Sequence, residues 1–212
     1  MYNIIKKKDK NRGDTMPTRT FLNLPKEKRL RVLRAAKKEF SRVPLEKAVI
    51  ANIVKDAEIP RGSFYQYFYD LDDLFVYVLD YMYGIDRKKF TKFLNETNGD
   101  VFEALKVRFS DEIDKLSIED NRQFRINAIT TLFNQDNLAS KMIPLTIEKQ
   151  DHVDMTYFPM EIQKQKNFSN FINIVKMIGD VCVRKYITRD AKEDEIKKYY
   201  NDCIDFVKEG IE

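Results

Sequence analysis

The chain has 212 residues and a mass of 25.2 kDa, with 43% hydrophobic and 34% charged residues and only six Gly and six Pro; this balance excludes a disordered tail or a loop-rich β protein and leaves all-α as the default. The net charge of +4 is modest, but residues 1–69 carry 17 Lys or Arg against 7 Asp or Glu while residues 70–212 carry 21 against 27, the pattern of a basic head on a body with another task. No apolar run is long enough to span a bilayer and no hydrophobic signal core follows the N-terminal lysines, so a cytoplasmic protein with no membrane partner is expected.

Residues 1–20 form a basic arm, with Lys6, Lys7, Lys8, Lys10, Arg12 and Arg19 and almost nothing to bury, and are expected to be disordered in isolation. Met16 is an alternative start, and if translation begins there the first fifteen residues are an extension; if they are native, they suit phosphates or a minor groove. A first helix is expected from Pro25, where a missing amide hydrogen costs nothing. Leu30, Leu33, Ala36 and Phe40 form its buried stripe, and Pro44 ends it. Its opposite face carries Lys26, Arg29, Arg34, Lys37 and Lys38, mostly for solvent.

Ile50, Ile53, Val54 and Ala57 mark the apolar face of a second helix, interrupted at Glu58-Ile59-Pro60 because the residue before a proline is pushed out of the helical region. A third helix restarts near Arg61. At 100° per residue, Phe64 and Phe68 fall about 40° apart, Gln66 points away from them, Ser63 lies near Gln66, and Tyr65 and Tyr67 take the two shoulders. So short a helix is not stable alone. The Phe64/Phe68 edge must therefore anchor it and the Ser63/Gln66 edge must be free, which is the geometry of a helix-turn-helix that enters a major groove. A helical hairpin packed in a larger bundle is the plainer alternative.

Arg61-Gly62-Ser63-Phe64-Tyr65-Gln66-Tyr67-Phe68, followed by Asp72-Asp73-Leu74-Phe75, resembles the recognition helix and next helix start of TetR-type transcriptional regulators. The resemblance extends back through Arg29-Leu30-Arg31-Val32-Leu33-Arg34-Ala35-Ala36 and Phe40, and covers roughly residues 25–80. It implies an N-terminal three-helix DNA-binding domain over residues 21–70 and a larger helical effector-binding and dimerisation domain over 71–212, about nine helices in all. On this reading Gln66 and Ser63 contact base edges, with Gln66 suited to bidentate contact with adenine, while Tyr65, Tyr67 and Arg61 hold phosphates. Gly62 and Lys47 complete the expected DNA-binding set.

The chain departs from the family pattern in three ways: Leu71 stands where a phosphate-touching lysine is usual, Glu58 where the turn usually has glycine, and Ala48-Val49 where threonine or serine commonly precedes the second helix. Glu58 costs about 1 kcal/mol if held at positive φ. Lys47, Arg61 or the arm would then have to compensate for the missing phosphate contacts.

A fourth helix is expected from Asp70, whose carboxylate caps it, with Asp72 and Asp73 at the positive end of its dipole. By resemblance it links the head to the body. Further helical patterns cover about 100–117, 119–134, 138–152, 160–188 and 190–210, with breaks at Asn98-Gly99, Ser117, Pro144 and Pro159. The last two carry Phe168, Phe171, Ile172, Val175, Ile178 and Cys182, then Ile196, Tyr199, Tyr200, Cys203, Phe206 and Val207, apolar over arcs wider than internal packing needs. By resemblance they form a homodimer through a four-helix contact, so that two recognition helices roughly 34 Å apart read a palindromic double-stranded DNA operator.

Tyr81, Met82, Phe102, Phe109, Phe124, Phe133, Met142, Met155, Tyr157 and Phe158 supply core, and in the family such a region also encloses a small apolar or amphipathic effector. Arg125, Asn127 and Gln135 are candidate polar orienters of it. The implied mechanism is a repressor released from its operator when the effector favours one body conformation.

No enzyme, cofactor or metal site is expected. His152 is the only histidine and has no partner at ligand spacing, no phosphate loop or nucleophile elbow occurs, and Cys182 and Cys203 read as buried free thiols. Two other classes compete: a DNA-binding protein without effector control, and a protein-binding adaptor that has lost DNA binding. A ligand screen by thermal shift separates the first of these from a regulated repressor.

Overall fold

The computed structural model describes residues 17–134, 138 and 165–210. The arm through Met16, the 138–152 helix beyond Leu138, Pro144, Pro159, His152, Gln135, Met142, Met155, Tyr157 and Phe158, and the side chain of Phe133, lie outside the described residues. The described residues contain no strand and form nine α-helices: α1 Arg19–Leu22, α2 Lys26–Arg42, α3 Ile50–Asp56, α4 Arg61–Tyr67, α5 Leu71–Glu96, α6 Val101–Leu116, α7 Glu119–Asn134, α8 Gln165–Ile187 and α9 Glu193–Glu209. A 3-10 turn, Leu45–Lys47, precedes α3. Among the described residues no helix is long and apolar enough to cross a membrane.

The chain divides into two compact units, one of residues 1–84 and 123–151 and the other of residues 85–122 and 152–212. In the first, Pro25 caps α2 with its fixed φ of −51°, and the stripe closes as expected: Leu33, Ala36 and Phe40 are buried and Leu30 is half-buried. Asp70 accepts the Asp73 amide at 2.9 Å and starts α5. Leu71, where a phosphate-binding lysine was the family expectation, is partly buried against the core of this unit. Residues 123–134 of α7 also belong here. Asn127, a candidate effector contact by sequence, is buried and donates through Nδ2 to the carbonyls of Phe40 and Ser41, both at 2.9 Å, and the Thr131 hydroxyl accepts the Leu45 amide. These two polar side chains satisfy backbone groups at the end of α2 and the start of the 3-10 turn that burial would otherwise strand.

The turn between α3 and α4 is a Schellman closure. The Ile59 amide donates to Val54 O at 3.0 Å and the Glu58 amide to Lys55 O at 3.1 Å, while Val54 and Ile59 are both buried. Glu58 occupies the left-handed position, φ 53°, which glycine fills without Cβ strain. Its carboxylate meets Arg31 at 2.8 Å, but both side chains are largely exposed, so the pair offsets little of the strain. Glu58→Gly is therefore expected to raise stability by about 0.5–1 kcal/mol; a lower urea midpoint in that variant would count against the strain.

In the second unit, Asp100 caps α6 by accepting the Phe102 and Glu103 amides at 2.9 and 3.1 Å, after a reversal in which Asn98 and Gly99 take φ 53° and 83°. Phe109 stacks on Tyr200 at 3.8 Å, and Phe102 meets Phe171 edge-on at 5.8 Å. Lys106 bridges Glu103 and Asp205, and Lys197 bridges Glu193 and Asp114, tying α9 to α6. One arc of each C-terminal helix fills this core: Phe171, Val175, Cys182, Val183 and Tyr186 on α8, and Ile196, Tyr200 and Ile204 on α9. A second apolar arc is open to solvent, with Ile174, Met177 (67% exposed) and Val181 on α8 and Tyr199 and Phe206 (77% exposed) on α9. Both cysteines are free thiols, as expected; Cys182 is buried, whereas Cys203 is only half-buried. Burial pushes the Cys182 thiol up to about 11, which keeps it protonated and unreactive near neutral pH.

Candidate nucleic-acid interface

A seven-residue helix is held by its neighbours, and α4 is held by aromatic rings. Phe64 and Phe68 are essentially inaccessible to solvent, and Phe68 lies 4.9 Å from the ring of Phe21, 5.9 Å from Tyr77 and 6.1 Å from Phe64. These tilted packings fall in the favourable range for aromatic pairs. The opposite side of the helix is open. Arg61, Gly62 and Gln66 are exposed, and Tyr65 is 51% exposed. A Cβ placed on Gly62 would meet nothing within 4 Å, so packing within the unit does not require glycine there, although glycine costs a helix about 1 kcal/mol relative to alanine.

Two expected contacts are displaced. Tyr67 is only 3% exposed, its ring 5.7 Å from that of Phe21, and Ser63 is half-buried. Tyr67 is enclosed by α1, a helical turn within a stretch whose first residues belong by sequence to the arm. Thr18 caps it, accepting the Phe21 amide at 3.3 Å, and Phe21 inserts its fully buried ring between Tyr67, Phe68 and Tyr77. The free surface of α4 is therefore centred on Tyr65 and Gly62, flanked by Arg61 and Gln66, rather than on Ser63 and Gln66. Thr18-Arg19-Thr20-Phe21 carried the available signal: an N-cap residue three positions before a large aromatic.

The start of α3 is organised by a residue that periodicity alone overlooks. Glu39 on α2 is 4% exposed, and its carboxylate accepts the Val49 amide at 2.8 Å, Asn52 Nδ2 at 3.1 and 3.2 Å, and Arg42 Nη2 and Nε at 2.7 and 3.0 Å. Val49 is the N-cap position of α3 and has no capping side chain of its own. Glu39 supplies from another helix the acceptor for the N-cap amide that a Glu or Gln at the third helical position provides locally in a capping box. Burial pushes its pKa up, but the hydrogen bonds from Arg42, Val49 and Asn52 outweigh that and hold it below the ordinary glutamate value.

Cations around this surface fall into two groups. Arg31 is paired with Glu58, Lys38 with Asp56 at 2.7 Å, and Arg42 with Glu39. Arg61 and Lys47 are exposed and have no carboxylate partner among the described residues. Lys47 closes the 3-10 turn ahead of α3, away in sequence from the α4 set.

No family model matches the chain, and no curated protein matches it. Among solved structures it is similar to a TetR family transcriptional regulator from Chloroflexus aurantiacus J-10-FL, with a TM-score of 0.45, 20% identity, and coverage of 92% of this chain and 98% of that chain.

Proposed function

We propose that this protein is a sequence-specific, double-stranded DNA-binding transcriptional regulator of the TetR type. The observation that carries the reading is the division of α4 into a buried Phe64/Phe68 edge and an open arc bearing Arg61, Gly62, Tyr65 and Gln66. An exposed cation at the start of the helix suits a phosphate, Gly62 lets a backbone approach closely, and the Gln66 amide suits the paired donor and acceptor of an adenine edge. Tyr65 adds exposed apolar surface on the same arc, which suits thymine methyls.

Dimerisation follows from the second apolar arc of α8 and α9. Ile174, Met177, Val181, Tyr199 and Phe206 form more exposed apolar surface than isolated side chains account for, and two copies of such a helix pair would cover it symmetrically. A dimer also supplies two copies of α4 for a palindromic operator. Release by a small apolar or amphipathic effector completes the regulatory reading.

Selection of random-sequence duplexes on the purified protein, followed by sequencing, tests the central claim; failure to enrich any sequence overturns it. Against a selected duplex, Gln66→Ala is expected to cost about 1–3 kcal/mol and to relax sequence preference. Equal losses on selected and shuffled duplexes would remove Gln66 from base reading. Arg61→Ala is expected to weaken binding to both alike and to lower the salt slope by about 1; an unchanged slope would place Arg61 off the phosphates.

A further inference from the structure

We infer that Thr18 is a positioning residue for the base-reading helix, fixing Gln66 through its backbone; the inference rests on the DNA-binding reading and names a part of that site outside the helix-turn-helix. The last carbonyls of a helix have no partner within it. In α4 the Phe68 amide takes Phe64 O at 2.9 Å, but Phe68 is already extended, φ −139° and ψ 148°, so the chain leaves the helix without a left-handed closure. The carbonyls of Gln66 and Tyr67 are both taken by one residue, 48 and 49 positions away. The Thr18 hydroxyl donates to Gln66 O at 2.7 Å, and the Thr18 amide donates to Tyr67 O at 3.1 Å.

That hydroxyl is also an acceptor. It receives the Phe21 amide at 3.3 Å and so caps α1, whose Phe21 ring packs against Tyr67 and Phe68. One oxygen therefore couples the start of α1 to the end of α4, using the donor and acceptor capacity of a hydroxyl together. The buried rings hold α4 against the core, but rings alone tolerate a small rotation of a two-turn rod about its own axis. A directional bond to the backbone of Gln66 restricts that rotation at the residue whose side chain is directed away from the anchor.

Substitutions separate the two duties. Thr18→Ser retains donor and acceptor; Thr18→Asp retains only the acceptor and still caps α1; Thr18→Val retains neither. The readout is the ratio of affinities for a duplex selected on the wild-type protein and a shuffled duplex of the same composition, measured at a temperature where every variant is folded. Loss of folded protein, or an added negative charge near the phosphates, scales both affinities and leaves this ratio alone. Discrimination is expected to fall about 3- to 10-fold in Thr18→Val and in Thr18→Asp and to be kept in Thr18→Ser. Because Thr18 acts through Gln66, its effect on the ratio should vanish in a Gln66→Ala background. Amide exchange at Tyr67 and Phe68 should also quicken in Thr18→Val and not in Thr18→Ser. Unchanged discrimination in Thr18→Val, or an equal effect with and without Gln66, overturns the inference while leaving the DNA-binding reading intact. Failure of the wild-type protein to prefer the selected duplex overturns both.

Discussion

Replacing Phe68 by alanine is expected to destabilise the first unit by about 3–5 kcal/mol, the range for emptying a buried phenylalanine site. Phe68 has no solvent exposure and shares ring contacts with Phe21, Phe64 and Tyr77. The loss therefore combines the transfer term of the ring, the cavity it leaves, and three aromatic pairings. Because α4 has only two turns and depends on these rings for its docking, the same substitution should abolish discrimination between DNA sequences before it abolishes helicity elsewhere. Phe68→Leu, which retains most of the volume, should recover a large part of the loss. Urea unfolding followed by circular dichroism measures both. A cost below about 1 kcal/mol for the alanine variant would show that α1 and α5 close over the gap and that the ring cluster is not the anchor.

The second large effect is expected at Glu39. Glu39→Ala strands the Val49 amide and the Asn52 amide group and removes the partner of Arg42, and should cost about 2–3 kcal/mol. Glu39→Gln retains an acceptor for Val49 but loses the charge that strengthens each bond, and should cost about half as much. The pH dependence follows from the direction of the shift. The Glu39 pKa is lowered on folding, so the unfolded chain binds the proton more readily, and the carboxylate contributes its full stabilisation above the unfolded value of about 4.3. That contribution is lost as pH falls through the lower folded value. The stability difference between the parent protein and Glu39→Gln should be constant near neutrality and shrink as pH is lowered below about 4. A difference that stays constant down to pH 3 would show that hydrogen-bond geometry, not ionisation, makes the contribution. On the proposed function the site also bears on DNA binding, since the Val49 amide at the start of α3 is held by this carboxylate.

Much of the head was legible because its signals are local. Pro25 and Pro44 bracket α2, Asp70 caps α5, and Pro60 forces Ile59 out of helical geometry; each acts within a few residues of itself in sequence. The Phe64/Phe68 edge could be assigned as an anchor because both residues are large, apolar and one turn apart. Glu58 could be suspected of strain because the family that the chain resembles usually has glycine at that position of the turn. The helix bounds expected at 119–134 and near 100–117 rested on the same kind of evidence and correspond to α7 and α6.

Tyr67, Asn127, Glu39 and Thr18 were assigned wrongly or passed over, and they share a cause. Each is polar, and whether a polar side chain meets solvent, a ligand or a backbone group depends on which distant segment is brought to it. Tyr67 is enclosed because Phe21 arrives from 46 residues away, and Asn127 is occupied by carbonyls at the end of α2. Periodicity therefore determined which residues form helices and which ring edge anchors α4, since those choices are made by backbone sterics and apolar spacing within one or two turns. Tertiary contact alone decided how wide the open face of α4 is, what caps α3, and what closes the C-terminal end of α4. Those outcomes depend on hydrogen bonds and ring packing between segments dozens of residues apart, for which a linear pattern carries no register.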